Sequence, residues 1–271
     1  MAHLGLLRAL REAGVPVDVV AGTSAGAILG AQYARGDEPE AIAERMIALL
    51  RTGIVDPTLP IVALLAGRRY TRLLQRLFGD GLAEDTWLPF YAVSADLISA
   101  EVVVHDRGPL WLAARASSSL PGVMPPVPLG ERLLVDGATL NNLPVDILRD
   151  RWGDPLVIAH DVAPPGTDGW AARSVVHVSG WRVLWNLLRG RPTPPAFVDV
   201  FPRSAMLAAT RQQAMAGTQG ELYLCPPLER FGSFDRKNLA EIIRVGYDSA
   251  RAALDRWHAA GLLPPGHVAA D

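Results

Sequence analysis

The chain has 271 residues, 49% of them hydrophobic and 20% charged, with a formal net charge of -2. That balance excludes the marked basic surface of a nucleic-acid binder, and the single cysteine, Cys225, excludes an intramolecular disulfide. The length suits one domain with a substantial core, expected over residues 1–261 with a fraying tail at 262–271.

In chain order, residues 2–13 are expected to form an amphipathic helix, whose charges at Arg8, Arg11 and Glu12 do not fit a secretory signal. A β-branched run predicts a buried strand over 17–21, followed by a helix over 24–35. Helices over 38–51 and 69–78 flank the apolar run Leu59 to Gly67, which is far short of the roughly 20 residues that span a bilayer. Strands are expected over 89–95, 100–105, 132–135, 155–161 and 221–225, and further helices over 109–118, 143–151, 204–217 and 236–260. This alternation predicts a three-layer α/β/α sandwich on a mostly parallel central sheet. Pro164 to Gly169 and Gly190 to Pro195 read as loops. Between them Trp181, Leu184, Trp185 and Leu188 recur at i, i+3, i+4 and i+7, an apolar helical stripe. Two readings stay open for it, a membrane-facing lid and a helix packed on the core.

Gly22-Thr23-Ser24-Ala25-Gly26 is a G-x-S-x-G pentapeptide lying between a predicted strand and a predicted helix, the context of a serine nucleophile elbow. Free N–H groups at the helix start favour negative charge developing on a carbonyl oxygen. A Ser/His/Asp esterase stays open as a third reading, although its familiar α/β-hydrolase form needs several strands before the elbow and only one fits here. The six histidines are His3, His105, His160, His177, His258 and His267; none lies in a setting that marks a general base, and His105 and His160 read as strand or strand-end residues. A carboxylate replaces histidine when it is held against the serine and partly desolvated, which raises its basicity. Leu133-Leu134-Val135 ends in Asp136-Gly137-Ala138 and puts an acid at a strand end, where open α/β sheets place their sites. Asp96 also ends a strand and reads as a cap or ion-pair residue; Arg115 suits either a carboxylate or a phosphate. Cys225, between Leu224 and Pro226, reads as a packed thiol, and the scattered histidines offer no metal site and call for no cofactor.

These segments, with Ala2-His3-Leu4-Gly5-Leu6-Leu7, Ala95-Asp96-Leu97, Arg115-Ala116-Ser117, Leu120-Pro121-Gly122, Pro125-Pro126 and Asn141-Asn142-Leu143-Pro144, stand in one order and spacing. In that order they resemble the patatin-like phospholipase family, in particular its bacterial branch related to neuropathy target esterase. The resemblance implies a patatin-like fold and a dyad in which Ser24 is nucleophile and Asp136 its base. Gly22, Thr23, Ala25 and Gly26 would form the elbow and oxyanion site, with Gly137 and Ala138 supporting the acid. The implied reaction is hydrolysis of acyl esters of phospholipids or lysophospholipids without cofactor. The expected location is the cytoplasm, with no nucleic-acid partner on the charge balance, and on the membrane-facing reading of the stripe Trp181 and Trp185 would make peripheral membrane contact.

One departure qualifies the resemblance. Family members carry a strand and a glycine-rich oxyanion loop ahead of the segment that here begins at Met1. The expected consequences are lost oxyanion donors and a sheet edge with unpaired backbone groups. Two alternatives to a complete enzyme follow: a fragment of a longer active protein, or an impaired or inactive binding protein of the same fold.

Overall fold

The computed structural model describes residues 1–51, 53, 55–153, 155–162, 177, 179–191, 193–195, 200–201, 203–205, 207, 222–232, 235 and 237–263. Most of the helix expected over 204–217 and the tail from 264 onward lie outside these residues. The described helices are α1 Ala2–Glu12, α2 Ala25–Ala34, α3 Pro39–Arg51, α4 Arg68–Phe78, α5 Leu110–Ser117, α6 Val145–Trp152, α7 Gly180–Leu188 and α8 Leu239–Ala259. The strands are β1 Val20–Thr23, β2 Phe90–Asp96, β3 Val102–His105, β4 Val127–Leu129, β5 Arg132–Asp136, β6 Ile158–His160 and β7 Leu222–Leu224. Only β4 among them has no counterpart in the sequence reading. Its two prolines upstream and three-residue length leave no period to detect.

Strand β2 organises the sheet. It pairs in parallel with β1 through residues 90–93 and antiparallel with β5 through 94–96, while β3 pairs across 92–95. Because Ala92 and Val93 bind both β1 and β3, and Ser94 and Ala95 bind both β3 and β5, β1 and β5 occupy the same edge of β2. They meet there end to end. The last residue of β1, Thr23, faces Val93, and the last residue of β5, Asp136, faces Ser94. Parallel pairing is found in β1–β2 and β6–β7, whereas β2–β3 and β4–β5 are antiparallel, joined by connections too short to cross over. Among the described strands β1 pairs only with β2, and β6 pairs only with β7 in a separate two-stranded sheet.

Helix α2 is apolar around most of its circumference, as a helix buried on all sides must be. Ala27, Ile28, Leu29 and Ala31 pack with Ile42 of α3, Leu74 and Phe78 of α4, Phe90 and Ala92 of β2, and Leu110 and Ala113 of α5. A second cluster joins Leu6, Ala9 and Leu10 of α1 to Ala250, Ala253 and Leu254 of α8 and Leu222 and Leu224 of β7. Each fully buried leucine in these clusters contributes about 1.5–3 kcal/mol.

Helices α1 and α8 touch backbone to backbone. A Cβ on Gly5 would stand 2.3 Å from the Tyr247 nitrogen, and one on Gly246 would stand 2.3 Å from the Ala2 carbonyl oxygen. Helix propensity alone favours alanine over glycine by about 1 kcal/mol, but two backbones at this distance cannot give way. Gly246→Ala is therefore expected to destabilise the protein by about 1–3 kcal/mol. Urea denaturation checks the sign, and a variant more stable than the parent would show that the helices can separate freely.

Strand β7 alternates, burying Leu222 and Leu224 and exposing Tyr223 and Cys225. The thiol expected to be packed thus lies on the outer face, a direct result of period-2 side-chain direction. The apolar stripe of α7 is likewise outside: Trp181 is 83% exposed and Leu188 75% exposed. Arg189 lies over the Trp185 ring at 4.1 Å, and this contact shields only part of it. No helix among the described residues is long and apolar enough to cross a membrane.

Candidate active site

The end-to-end meeting of β1 and β5 on one edge of β2 brings Ser24, the residue after β1, beside Asp136, the last residue of β5. Ser24 Oγ donates to Asp136 Oδ2 at 2.7 Å. The second carboxylate oxygen, Oδ1, accepts from the Ala138 N–H at 2.9 Å, which closes the 3₁₀ turn Gly137–Thr139. Asp136 is fully buried, and desolvation pushes its pKa up to about 7, against the opposing pull of its hydrogen bonds from Ala138 and Ser24. A carboxylate with that affinity accepts a hydroxyl proton near neutral pH.

Ser24 has φ 55° and ψ -117°, a conformation that turns ordinarily reserve for glycine. The close approach of β1 and α2 enforces it. A Cβ on Gly22 would lie 2.5 Å from the Gly26 carbonyl carbon and 2.8 Å from the Ala27 nitrogen, so the strand end and helix start leave no room for a side chain there. Thr23 Oγ1 donates to the Asn141 carbonyl at 2.9 Å and ties the elbow to the segment after Asp136. Gly137 is equally constrained: a Cβ would stand 2.3 Å from the Val93 carbonyl oxygen, between β1 and β2. Ala138 is buried behind the acid, and Asn141 Nδ2 donates to Asp146 Oδ1.

The first turn of α2 faces the serine. Ile28 N–H bonds the Ser24 carbonyl. The N–H groups of Ala25, Gly26 and Ala27 carry no partner among the described residues and present the positive end of the helix dipole. The Ser24 N–H is otherwise engaged, donating to Ser117 Oγ at 2.8 Å.

Ser117 is a member of the site that sequence alone does not single out. It belongs to a run of three serines ending α5, all buried. Asp136 N–H donates to the Ser119 carbonyl, Tyr70 Oη donates to Ser118 Oγ, and Ser118 and Ser119 bond back to the Ala114 and Arg115 carbonyls. Arg115 is buried beside them. Its guanidinium donates to Thr71 Oγ1, Ser119 Oγ and the Pro125 carbonyl, with no carboxylate at ion-pair distance among the described residues, so it braces the loop behind the pair. The signals for this scaffold in the sequence are the serine run and the place of Arg115-Ala116-Ser117 among the segments of the family resemblance.

Asp96 does not reach the pair. Its carboxylate accepts from the Ile98 and Leu133 N–H groups and from Ser99 Oγ, locking the β2–β3 turn to β5. Burial acts to raise its pKa, but those hydrogen bonds prevail and hold it below the usual carboxylate range. Among the described histidines none bonds Ser24. His105 Nε2 bonds Ser94 Oγ at 2.7 Å and His3 bonds His160, while His267 lies outside the described residues. No group of three potential metal ligands occurs among the described residues.

Known proteins share this chain's sequence over most of its length. A family model described as patatin-like phospholipase matches residues 1–149. The chain is 36% identical to patatin-like phospholipase domain-containing protein 7 of Mus musculus, over 97% of this chain and 20% of the relative. It is 34% identical to domain-containing protein 6 of Homo sapiens, over 94% of this chain and 19% of the relative. It is 33% identical to lysophospholipase nte1 of Emericella nidulans, over 97% and 18%. The chain thus spans about a fifth of the length of these curated relatives. Among solved structures, VipD from Legionella pneumophila aligns over 94% of this chain and 64% of its own, with TM-score 0.48 and 14% identity. The family model covers more than half of the chain and takes in both the serine elbow and the aspartate turn; the chain belongs to the patatin-like phospholipase family.

Proposed function

We propose that this chain is a serine hydrolase that cleaves carboxylic acyl esters of phospholipids or lysophospholipids with Ser24 as nucleophile and Asp136 as base. One observation carries the reading: the 2.7 Å hydrogen bond from Ser24 Oγ to a buried carboxylate whose pKa stands near 7. Ser24 Oγ attacks the ester carbonyl carbon as its proton passes to Asp136. The carbonyl oxygen gains the negative charge and turns toward the amides of Ala25 and Gly26 at the start of α2. Collapse expels the alcohol, which takes the proton back from Asp136. A water then repeats the sequence on the acyl-serine and releases the fatty acid. The names of the aligned relatives, phospholipase and lysophospholipase, support the substrate class.

Fluorophosphonate labelling located by peptide mass spectrometry tests the pair. The expected adduct is on Ser24 and is lost in Asp136→Asn. Folded protein that takes no label would favour the binding-protein reading or a fragment that needs the rest of a longer chain.

The reading includes contact with a lipid surface through α7, supported by the outward Trp181, Leu184, Trp185 and Leu188 and by Arg189 beside them. Trp185 is 54% exposed, so Trp185→Glu is expected to leave the melting temperature within about 2 °C. Retention on phospholipid vesicles should fall severalfold in co-sedimentation. Unchanged sedimentation would remove α7 from the interface.

A further inference from the structure

Between α3 and α4 the chain makes a hairpin with an aliphatic tip. Pro57 and Leu65 pair as an antiparallel bridge, Thr58 N–H donates to the Leu64 carbonyl, and Ala66 N–H donates to the Asp56 carbonyl. Ile61 N–H bonds the Leu59 carbonyl and closes the tip. There Leu59 is 73%, Ile61 81% and Val62 71% exposed, with Pro60 exposed among them. Three large aliphatic side chains held in water by an ordered backbone mark a contact with an apolar phase.

Helix α4 follows directly and carries one sign of charge. Its eleven residues include Arg68, Arg69, Arg72 and Arg76 and no acid or lysine. At 3.6 residues per turn these four fall within about 100° of arc, opposite the buried Leu74, Leu77 and Phe78, and all four are exposed. Ion pairs among the described residues engage Arg8, Arg11, Arg45, Arg151, Arg230 and Arg244 and none of these four. Asp56, the acid that precedes the helix, is occupied by the backbone N–H groups of Gly67 and Arg69. Arg69 Nη1 donates to the Val55 carbonyl, so the arginine face begins at the base of the hairpin.

This placement is locally unfavourable in two ways. Arg68 and Arg69 stand at the positive end of the helix dipole, and Arg68 with Arg72, and Arg72 with Arg76, are like charges at i, i+4. A face that only keeps a helix in solution mixes its signs. An anionic surface relieves both conflicts, and a lipid one also takes up the tip. Nucleic acid would answer the charge and leave the aliphatic tip in water. Both features are fastened to the scaffold behind Ser24 and Asp136: Leu64 and Leu65 N–H groups donate to the Gly122 and Val123 carbonyls, and Tyr70 of α4 donates to Ser118.

We propose that the 57–65 hairpin and the arginine face of α4 form an anchor for an anionic phospholipid bilayer, with the tip entering the acyl region and the arginines meeting lipid phosphates. The inference takes its partner from the lipid-directed reading above and depends neither on α7 nor on the Ser24–Asp136 chemistry.

Co-sedimentation of the full chain as Ser24→Ala, which leaves the lipid intact, tests it on vesicles of phosphatidylcholine alone and of phosphatidylcholine with phosphatidylglycerol. Binding is expected to favour the anionic vesicles and to weaken as salt screens the surface charge. Each arginine near such a surface contributes about fivefold, so Arg68→Gln with Arg72→Gln should cut binding to anionic vesicles about 20-fold and leave binding to neutral ones unchanged. Ile61→Asp should cut binding to both by about tenfold or more, and by the same factor in a Trp185→Glu background. These positions are exposed, so melting temperatures should stay within about 2 °C of the parent. With the serine restored, both variants should hydrolyse soluble p-nitrophenyl butyrate at the parent rate and lose hydrolysis of vesicle phospholipid. Folded Ile61→Asp that binds vesicles as the parent does, or a parent with no preference for anionic lipid, overturns the proposal. So does a parent dimer in sedimentation equilibrium that Ile61→Asp dissociates, because the tip then seats a second copy of this chain. A parent that binds as expected but leaves p-nitrophenyl butyrate intact removes the serine reading and supports the anchor.

Discussion

Replacing Asp136 by Asn is expected to abolish turnover and stabilise the fold at the same time. An amide cannot take the Ser24 proton, and removing a member of a coupled nucleophile and base costs on the order of 10⁴ or more in kcat. The parent enzyme should show the corresponding pH dependence. With the Asp136 carboxylate standing at about 7, kcat/KM should be flat above that value and fall tenfold per pH unit below it, to about 1% of the plateau near pH 5. A profile whose acid limb lies near pH 4 would mean that Asp136 is not the base.

The stability effect has a definite sign. The folded state holds the Asp136 proton more tightly than the unfolded chain, in which an aspartate titrates near 3.9. The protonated acid is accommodated below that value, and stability is lost as pH rises through 4 to about 7, where the buried group must ionise. Asp136→Asn removes that cost. Its melting temperature should exceed the parent's at pH 8, by about 2–4 °C for each kcal/mol recovered, and the difference should vanish near pH 4. A variant equally destabilised at both pH values would point to lost packing instead of a relieved charge.

The parts of the site that sequence makes legible are those whose chemistry is local in the chain. Gly22 to Gly26 announces a turn between a strand and a helix, and Asp136-Gly137 announces an acid at a strand end; each is visible within five residues. Their meeting is a property of the sheet. It depends on β1 and β5 sharing one edge of β2 from opposite directions, and β-pairing partners are long-range information that no residue pattern encodes. The same distinction explains Ser117 and His3. Ser117 and His3 both stand in segments that carry the family resemblance, but Ser117 bonds Ser24 across 93 residues and His3 bonds His160 across 157, so the contacts themselves are not visible in any local pattern. Cys225 is misread and α7 left open for a different reason: apolar neighbours and a helical stripe define a face, and only tertiary contacts decide whether that face turns inward. Trp185 faces outward.

The second large effect is expected at Ser24 itself, where activity and stability separate. Ser24→Ala and Ser24→Gly both remove the hydroxyl, and both should reduce ester hydrolysis on the order of 10⁴-fold or more. They differ in the backbone. The serine is held at φ 55° and ψ -117° by the approach of Gly22 to Gly26 and Ala27, and by the bond from its own N–H to Ser117. A Cβ in that region costs about 1–3 kcal/mol, which alanine keeps and glycine relieves. Glycine gives back about 0.4–1 kcal/mol through the greater freedom of its unfolded chain. Ser24→Gly should therefore be more stable than Ser24→Ala by up to about 2 kcal/mol, measured as a difference in urea midpoint at constant slope. Comparing the two inactive variants cancels the lost hydrogen bond to Asp136 and isolates the strain. Equal midpoints would mean that the elbow relaxes when its hydroxyl is gone, so that the Ser24–Asp136 bond holds the backbone in its unusual conformation. Unequal midpoints in the expected order would mean that the strand-to-helix turn imposes the conformation and presents the serine whether or not its partner is there.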